Sequence, residues 1–301
     1  MANAEAPHYG VLKAALWMTG SVASFSLMAV AGREARQDLE TAELLVWRSL
    51  IGIVAIVTLL AASRGGFAQI RTRRPLLHIL RNASHFFGQY CWYYAVAIIP
   101  LAQLFALEFT SPIWVVLAAP FLFGEQLSWQ KAFAVGSSFV GVLLVVAVWS
   151  DEFAREFSTG QVWGLLAAIG FAGNMLVTKK LTGTESNLCI LFYMAAMQAP
   201  MGLIVASDLP AIPSSALITF WVLCLGIGGL SAHYCLTQAF RHADASIVSP
   251  MDFARLPVIA FVGALAYAEP LAWNVLAGGT LIFFGNYLNI RSRSLELRNL
   301  Q

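Results

Sequence analysis

Four charged side chains sit within or beside long, nearly uncharged stretches of the chain: Arg48, Glu108, Asp252 and Arg255. In hydrocarbon each charge costs about 2.5–3.5 kcal/mol, so such residues usually face a protein interior and serve a function. A carboxylate such as Glu108 can carry a coupling proton or bind an amine. A buried arginine such as Arg255 presents a fork of donors that suits a carboxylate or phosphate group. Asp252 and Arg255 are three residues apart, a spacing that lets them pair on one helix face and neutralise each other as structural glue. Arg48 lies near the end of its apolar stretch, where it can snorkel to the interface. His233, Gln89, Gln238 and Tyr93 are the next candidates to line a polar cavity. His85, Asn82, Gln103, Asn174, Tyr193 and Gln198 complete the polar inventory, and any of these can simply bond a neighbouring helix. Trp92, Tyr93 and Tyr94 are consecutive, so they cannot all face one cavity.

Several chemistries are excluded by their missing motifs. The chain has no H-E-x-x-H helix, no G-x-x-x-x-G-K-[ST] loop and no T-V-G-Y-G filter. Ser231 and His233 are two apart on one helix and point away from each other, which makes a poor nucleophile and base. Cys91, Cys189, Cys224 and Cys235 form no C-x-x-C pair and fall in apolar stretches, so packing suits them better than zinc or a disulfide. No cofactor, no metal and no nucleic-acid partner is expected, and a net charge of +2 gives no reason to seek one. The rival class is an intramembrane enzyme or a lipid or precursor translocase acting at the same cavity.

The elements that must position these side chains are membrane helices. Of 301 residues, 59% are hydrophobic and 11% charged, with mean hydropathy +0.72. A soluble domain carries roughly 25% charged residues to cover its surface. Apolar runs of about 20 residues match a bilayer core of about 30 Å. They predict ten spans, at 11–31, 44–62, 77–99, 101–123, 129–149, 161–180, 188–206, 216–240, 245–267 and 272–290. The first resembles a signal peptide only at Ala29-Val30-Ala31. It is longer than a signal core and has a counterpart later in the chain, so it reads as a span. At about 1.5 Å per residue, Glu108 lies about 10 Å below the outer boundary and Asp252 about 10 Å above the inner one.

That symmetry reflects an internal repeat. Shifting the numbering by 144 places Tyr90-Cys91 on Tyr234-Cys235, Gln89 on His233 and Glu108-Phe109 on Asp252-Phe253. It also brings Glu125, Leu127 and Trp129 onto Glu269, Leu271 and Trp273. The earlier stretch aligns with a shift of 150, Gly10 on Gly160 and Gly20 on Gly170. The halves are residues 1–150 and 151–301. Five spans is an odd number, so the second half must insert with the opposite orientation. Loop charge agrees, because Lys and Arg gather on the cytoplasmic side. With the N-terminus inside, Lys13, Arg64, Arg71, Arg73, Arg74, Arg81, Lys131, Lys179, Lys180, Arg241, Arg291, Arg293 and Arg298 are cytoplasmic. Only Arg33, Arg36 and Arg155 lie outside. The expected fold is an all-α integral membrane protein of ten transmembrane helices in two inverted five-helix repeats, both termini cytoplasmic. Trp129, Trp149, Trp163 and Trp273 fall at span ends as interfacial anchors. Gly160 and Gly164 offer a small-residue step for close helix packing.

Arg48 within Val46-Trp47-Arg48-Ser49, Tyr93-Tyr94-Ala95 before Pro100-Leu101-Ala102, and Gly124-Glu125-Gln126-Leu127-Ser128 echoed by Ala268-Glu269-Pro270-Leu271-Ala272 form a recurring order. In these features the chain resembles the ten-helix EamA-type branch of the drug/metabolite transporter superfamily. The resemblance runs along essentially the whole chain, and the second copy departs from it in having Ala268 where glycine is usual. It implies a secondary carrier working by alternating access in a bacterial-type inner membrane. The cargo expected is a small polar metabolite, an amino acid or related zwitterion or anion, with a coupling proton. Oligomeric state is left open.

Overall fold

The computed structural model describes residues 7–96, 104, 107–124, 129–146, 159–206, 208–267 and scattered positions between 273 and 285. The Gly-Glu motif beyond Gly124, its echo at 268–272, the loop at 150–158, Gln103, most of the tenth expected span and the chain ends lie outside the described residues. The described residues contain helices and no strand. In chain order these are α1 (Pro7–Ala35), α2 (Thr41–Ala62), α3 (Pro75–Val96), α4 (Ser111–Phe123) and α5 (Trp129–Val146). There follow α6 (Thr159–Thr182), α7 (Asn187–Ala206), α8 (Ala216–His242), α9 (Ala245–Met251) and α10 (Arg255–Tyr267). Six described helical stretches are long and apolar enough to cross a membrane, one of them running through α9 and α10.

Local chemistry fixes several helix ends. The Glu43 carboxylate accepts from the Glu40 backbone N–H at 2.7 Å and closes the start of α2. Ser215 caps α8, its hydroxyl accepting from the Ile218 N–H at 3.2 Å. Gly124 ends α4 at φ +67°, a left-handed conformation that residues with a Cβ resist. A short 3₁₀ turn, Asp252–Ala254, separates α9 from α10. Pro250 and Pro257 flank it, and each removes an N–H that a continuous helix would give to the carbonyl four residues back. The interruption that these prolines impose therefore falls on Asp252 and beside Arg255.

The helix α3 is amphipathic with its polar side inward. His78, Arg81, His85 and Gln89 recur every three or four residues, Asn82 stands beside Arg81, and all five are buried. Leu76, Ile79, Leu80, Phe87 and Tyr94 lie exposed on the other side. That arrangement suits a helix whose outer neighbour is lipid, where apolar groups go outward and polar ones find partners within. Arg81, counted by the sequence among the cytoplasmic-side charges, is a fully buried side chain of this face. Its Nε donates to Thr178 Oγ1 at 2.8 Å and its Nη1 to Asn82 Oδ1 at 3.2 Å.

Three long-range pairings organise the bundle: α1 lies along α8, α3 along α6 and α2 along α7. Where α6 crosses α3, a Cβ on Gly170 would stand 2.7 Å from Gly88 Cα and 2.9 Å from the Ser84 carbonyl oxygen. Two backbones touch there. Gly164, half of the expected small-residue step, faces the Leu107 and Leu104 side chains instead. Apolar clusters join α1, α8 and α9 through Met18, Phe240 and Ile247, and α2, α7 and α8 through Ile56, Leu191 and Leu230.

Candidate functional site

Between these clusters the polar side chains converge. From α2, Arg48 is only 5% exposed and is turned into the bundle, so of the two roles open to it snorkelling does not apply. Its Nη2 donates to Gln198 Oε1 at 2.7 Å and to Gln89 Oε1 at 3.2 Å. Its Nε and Nη1 are buried with no hydrogen-bond partner, and no carboxylate among the described residues pairs with it. A narrow cavity lined by Arg48, Ser49, Gly52, Gln198, Gly226 and Gly229 opens beside the guanidinium. It has room for little more than water, so a larger guest needs the helices to part.

The network continues from Gln198. Its oxygen is given to Arg48, so its amide nitrogen, 2.7 Å from His85 Nδ1, is the donor there. His85 therefore carries its ring proton on Nε2. Its ring meets that of His233 edge to face, with centroids 4.6 Å apart, and His233 meets Phe25 at 5.3 Å. The Arg255 guanidinium lies 5.0 Å from the Phe25 ring centroid and 5.1 Å from that of Phe109, within reach of cation–π attraction.

Arg255 also closes the charged end of the site. It pairs with Glu108 across helices and with Asp252 at 3.1 Å. Glu108 accepts from Trp92 Nε1 at 2.7 Å. The Asp252–Arg255 pair is thus one side of a buried triad, and Glu108, without a basic partner on its own helix, finds Arg255 across the bundle. Asp252 Oδ1 and Arg255 Nε keep no hydrogen-bond partner. Among the described residues three arginines, Arg48, Arg81 and Arg255, and three carboxylates, Glu108, Glu185 and Asp252, are buried, and of these arginines Arg255 alone is ion-paired.

Six of the eight leading candidates fall into this network: Arg48, Gln89, His233, Glu108, Asp252 and Arg255. Tyr93 is buried edge-on against Trp92, with ring centroids 5.0 Å apart. Gln238 is not drawn in, its amide donating to the Tyr234 hydroxyl one turn away at 3.0 Å. Gln198 and His85, ranked behind the leading candidates, prove to be the links between the two arginine centres. One signal marked Gln198 in advance, since it is the residue 150 positions after Arg48.

Comparison with known proteins adds kinship. A family model described as "EamA-like transporter family" matches twice, at residues 12–147 and 158–291. A riboflavin transporter from Brucella anthropi is 30% identical over 82% of this chain and 87% of its own length. An S-adenosylmethionine uptake transporter from Rickettsia felis is 29% identical over 71% of each chain. One solved crystal structure superimposes with a TM-score of 0.78 over 96% of this chain and 98% of its own, at 16% identity, a likeness of fold.

Proposed function

The chain belongs to the EamA-like transporter family, and from that premise we propose a secondary carrier for a small metabolite bearing an anionic group, worked by alternating access. Family and relatives are transporters rather than enzymes, and the chain is a multi-pass membrane protein moving a small molecule. The observation that carries the finer reading is Arg48, a buried guanidinium with two idle donor nitrogens beside a cavity and no counter-charge among the described residues. A carboxylate or phosphate of the cargo supplies that counter-charge, an anion or zwitterion such as an amino acid derivative fitting best. Riboflavin and S-adenosylmethionine in the relatives' names are chemically unlike, so cargo does not follow from kinship.

The ten-helix, two-half arrangement belongs to this proposal, with both termini cytoplasmic in a bacterial-type inner membrane. It is supported by the twofold family match and by reciprocal packing, α1 on α8 and α6 on α3. The positions related by the repeat, Arg48 with Gln198 and Glu108 with Asp252, draw together at the centre. Alternating access then rocks one half against the other around this centre. Glu108 is the proposed coupling carboxylate: protonation there weakens its hold on Arg255 and frees that guanidinium to rearrange.

The test is uptake into proteoliposomes from a panel of amino acids, their derivatives and phosphorylated or cationic controls, with and without a pH gradient. Saturable uptake of a zwitterion or anion, accumulated when the gradient is present, is expected. Uptake restricted to cations contradicts the Arg48 reading. Glu108→Gln should keep cargo exchange and lose gradient-driven accumulation. Unchanged accumulation makes Glu108 structural.

A further inference from the structure

A second polar cluster lies away from Arg48, where the start of α3 meets the turn between α6 and α7. It contains His78, Glu185 and Cys189, which are 0%, 7% and 0% exposed. One potential ligand atom from each lies within 4.8 Å of the other two. Cys189 Sγ is 3.8 Å from His78 Nε2 and 3.5 Å from Glu185 Oε2. With metal bonds of about 2.3 Å to sulfur and about 2.0–2.2 Å to nitrogen and oxygen, a tetrahedral zinc site has ligand-to-ligand edges of about 3.5 Å at the sulfur. The two measured edges already match. We propose that His78, Glu185 and Cys189 bind a thiophilic divalent cation of the zinc class, with a fourth position left to water.

Two independent observations favour a cation over a plain hydrogen-bonded cluster. The His78 ring is fully buried and its Nε2 has only a long contact of 3.8 Å, to the Cys189 sulfur, while Nδ1 on the far side of the ring has no partner. Glu185 is a buried carboxylate with no basic side chain paired to it among the described residues. Arg241 is close, but its guanidinium bonds the Glu185 backbone carbonyl and Asn187 Oδ1, so the carboxylate accepts only from the Thr72 hydroxyl and the Cys189 thiol. Thr72 Oγ1 donates to Glu185 Oε1 at 2.8 Å, which aims the other oxygen at the sulfur, as outer-shell partners of metal ligands do. Ser186 accepts from the Cys189 N–H at 3.0 Å and fixes the first turn that carries the thiol. On binding, the thiol proton leaves to solvent and thiolate plus carboxylate balance the 2+ charge, with neutral imidazole as third ligand. Such a site would give Cys189 a role other than the packing expected from the sequence, where His78 stands 111 residues away.

The experiment uses the full chain, purified in detergent, stripped with chelator and titrated with Co2+ as a spectroscopic probe. Expected is a thiolate-to-cobalt charge-transfer band that saturates at one ion per chain and is bleached by Zn2+. Cys189→Ala should abolish the band, Cys91→Ala should retain it, and His78→Gln should weaken Co2+ binding by at least about tenfold. A variant-free arm guards against misfolding. The zinc X-ray absorption spectrum of the wild type should show one sulfur at about 2.3 Å with lighter ligands. Absence of the Co2+ band, its persistence in Cys189→Ala, or a zinc shell without sulfur overturns the proposal.

Discussion

Arg48 and Arg255 are both buried guanidinium groups, and they differ in what surrounds them. Arg255 holds two carboxylates, so its removal strands Glu108 and Asp252 as uncompensated charges. Breaking such a buried pair costs about 3–5 kcal/mol. Arg255→Met should therefore lower the unfolding temperature sharply in detergent, and adding Glu108→Gln with Asp252→Asn should restore much of the loss. No restoration would mean that Arg255 stabilises through Phe25 and Phe109 instead. Arg48 holds only amides, and removing a buried charge that nothing neutralises relieves a desolvation cost. Arg48→Met should melt at the same temperature as wild type or higher, the pattern of a residue retained for binding at the expense of stability. A large drop in unfolding temperature would mark it as structural.

Helices meet at distances set by their smallest residues. Gly170→Ala must push α6 away from the Gly88 backbone, which cannot rotate aside as a side chain can. It should cost about 1–3 kcal/mol in thermal unfolding, as overpacking does. Gly136→Ala on α5, where a Cβ meets nothing within 4 Å, should be neutral or stabilise by up to about 1 kcal/mol. Equal effects at the two sites would argue against the close α3–α6 crossing. The spans were legible in the sequence because hydrophobic run length measures the solvent directly. The break at Asp252 was legible because Pro250 and Pro257 act locally. Gly88 against Gly170 was not, since a helix crossing depends on how two distant faces rotate. The polar face of α3 was written in the three-to-four spacing of His78, Arg81, His85 and Gln89. For Arg48 both snorkelling and binding stayed open, because span depth gives its level in the bilayer and not whether it turns toward lipid or toward Gln198.

For the molecule as a whole, inverted halves require odd span numbers and opposite loop placement. Reporter fusions should put loops 64–76 and 181–187 in the cytoplasm and 150–160 outside. Finding 64–76 and 150–160 on one side would contradict two inverted halves. In the bundle Arg48 meets Gln198 and has no counter-charge among the described residues. The decisive measurement is exchange of the best anionic or zwitterionic cargo in vesicles containing wild type or Arg48→Met, with thermal unfolding on the same preparations. Losing the Arg48 contact should cost about 2–5 kcal/mol, so exchange should fall at least about thirtyfold while the protein stays folded. Wild-type exchange of that cargo by folded Arg48→Met would contradict an anion held at Arg48.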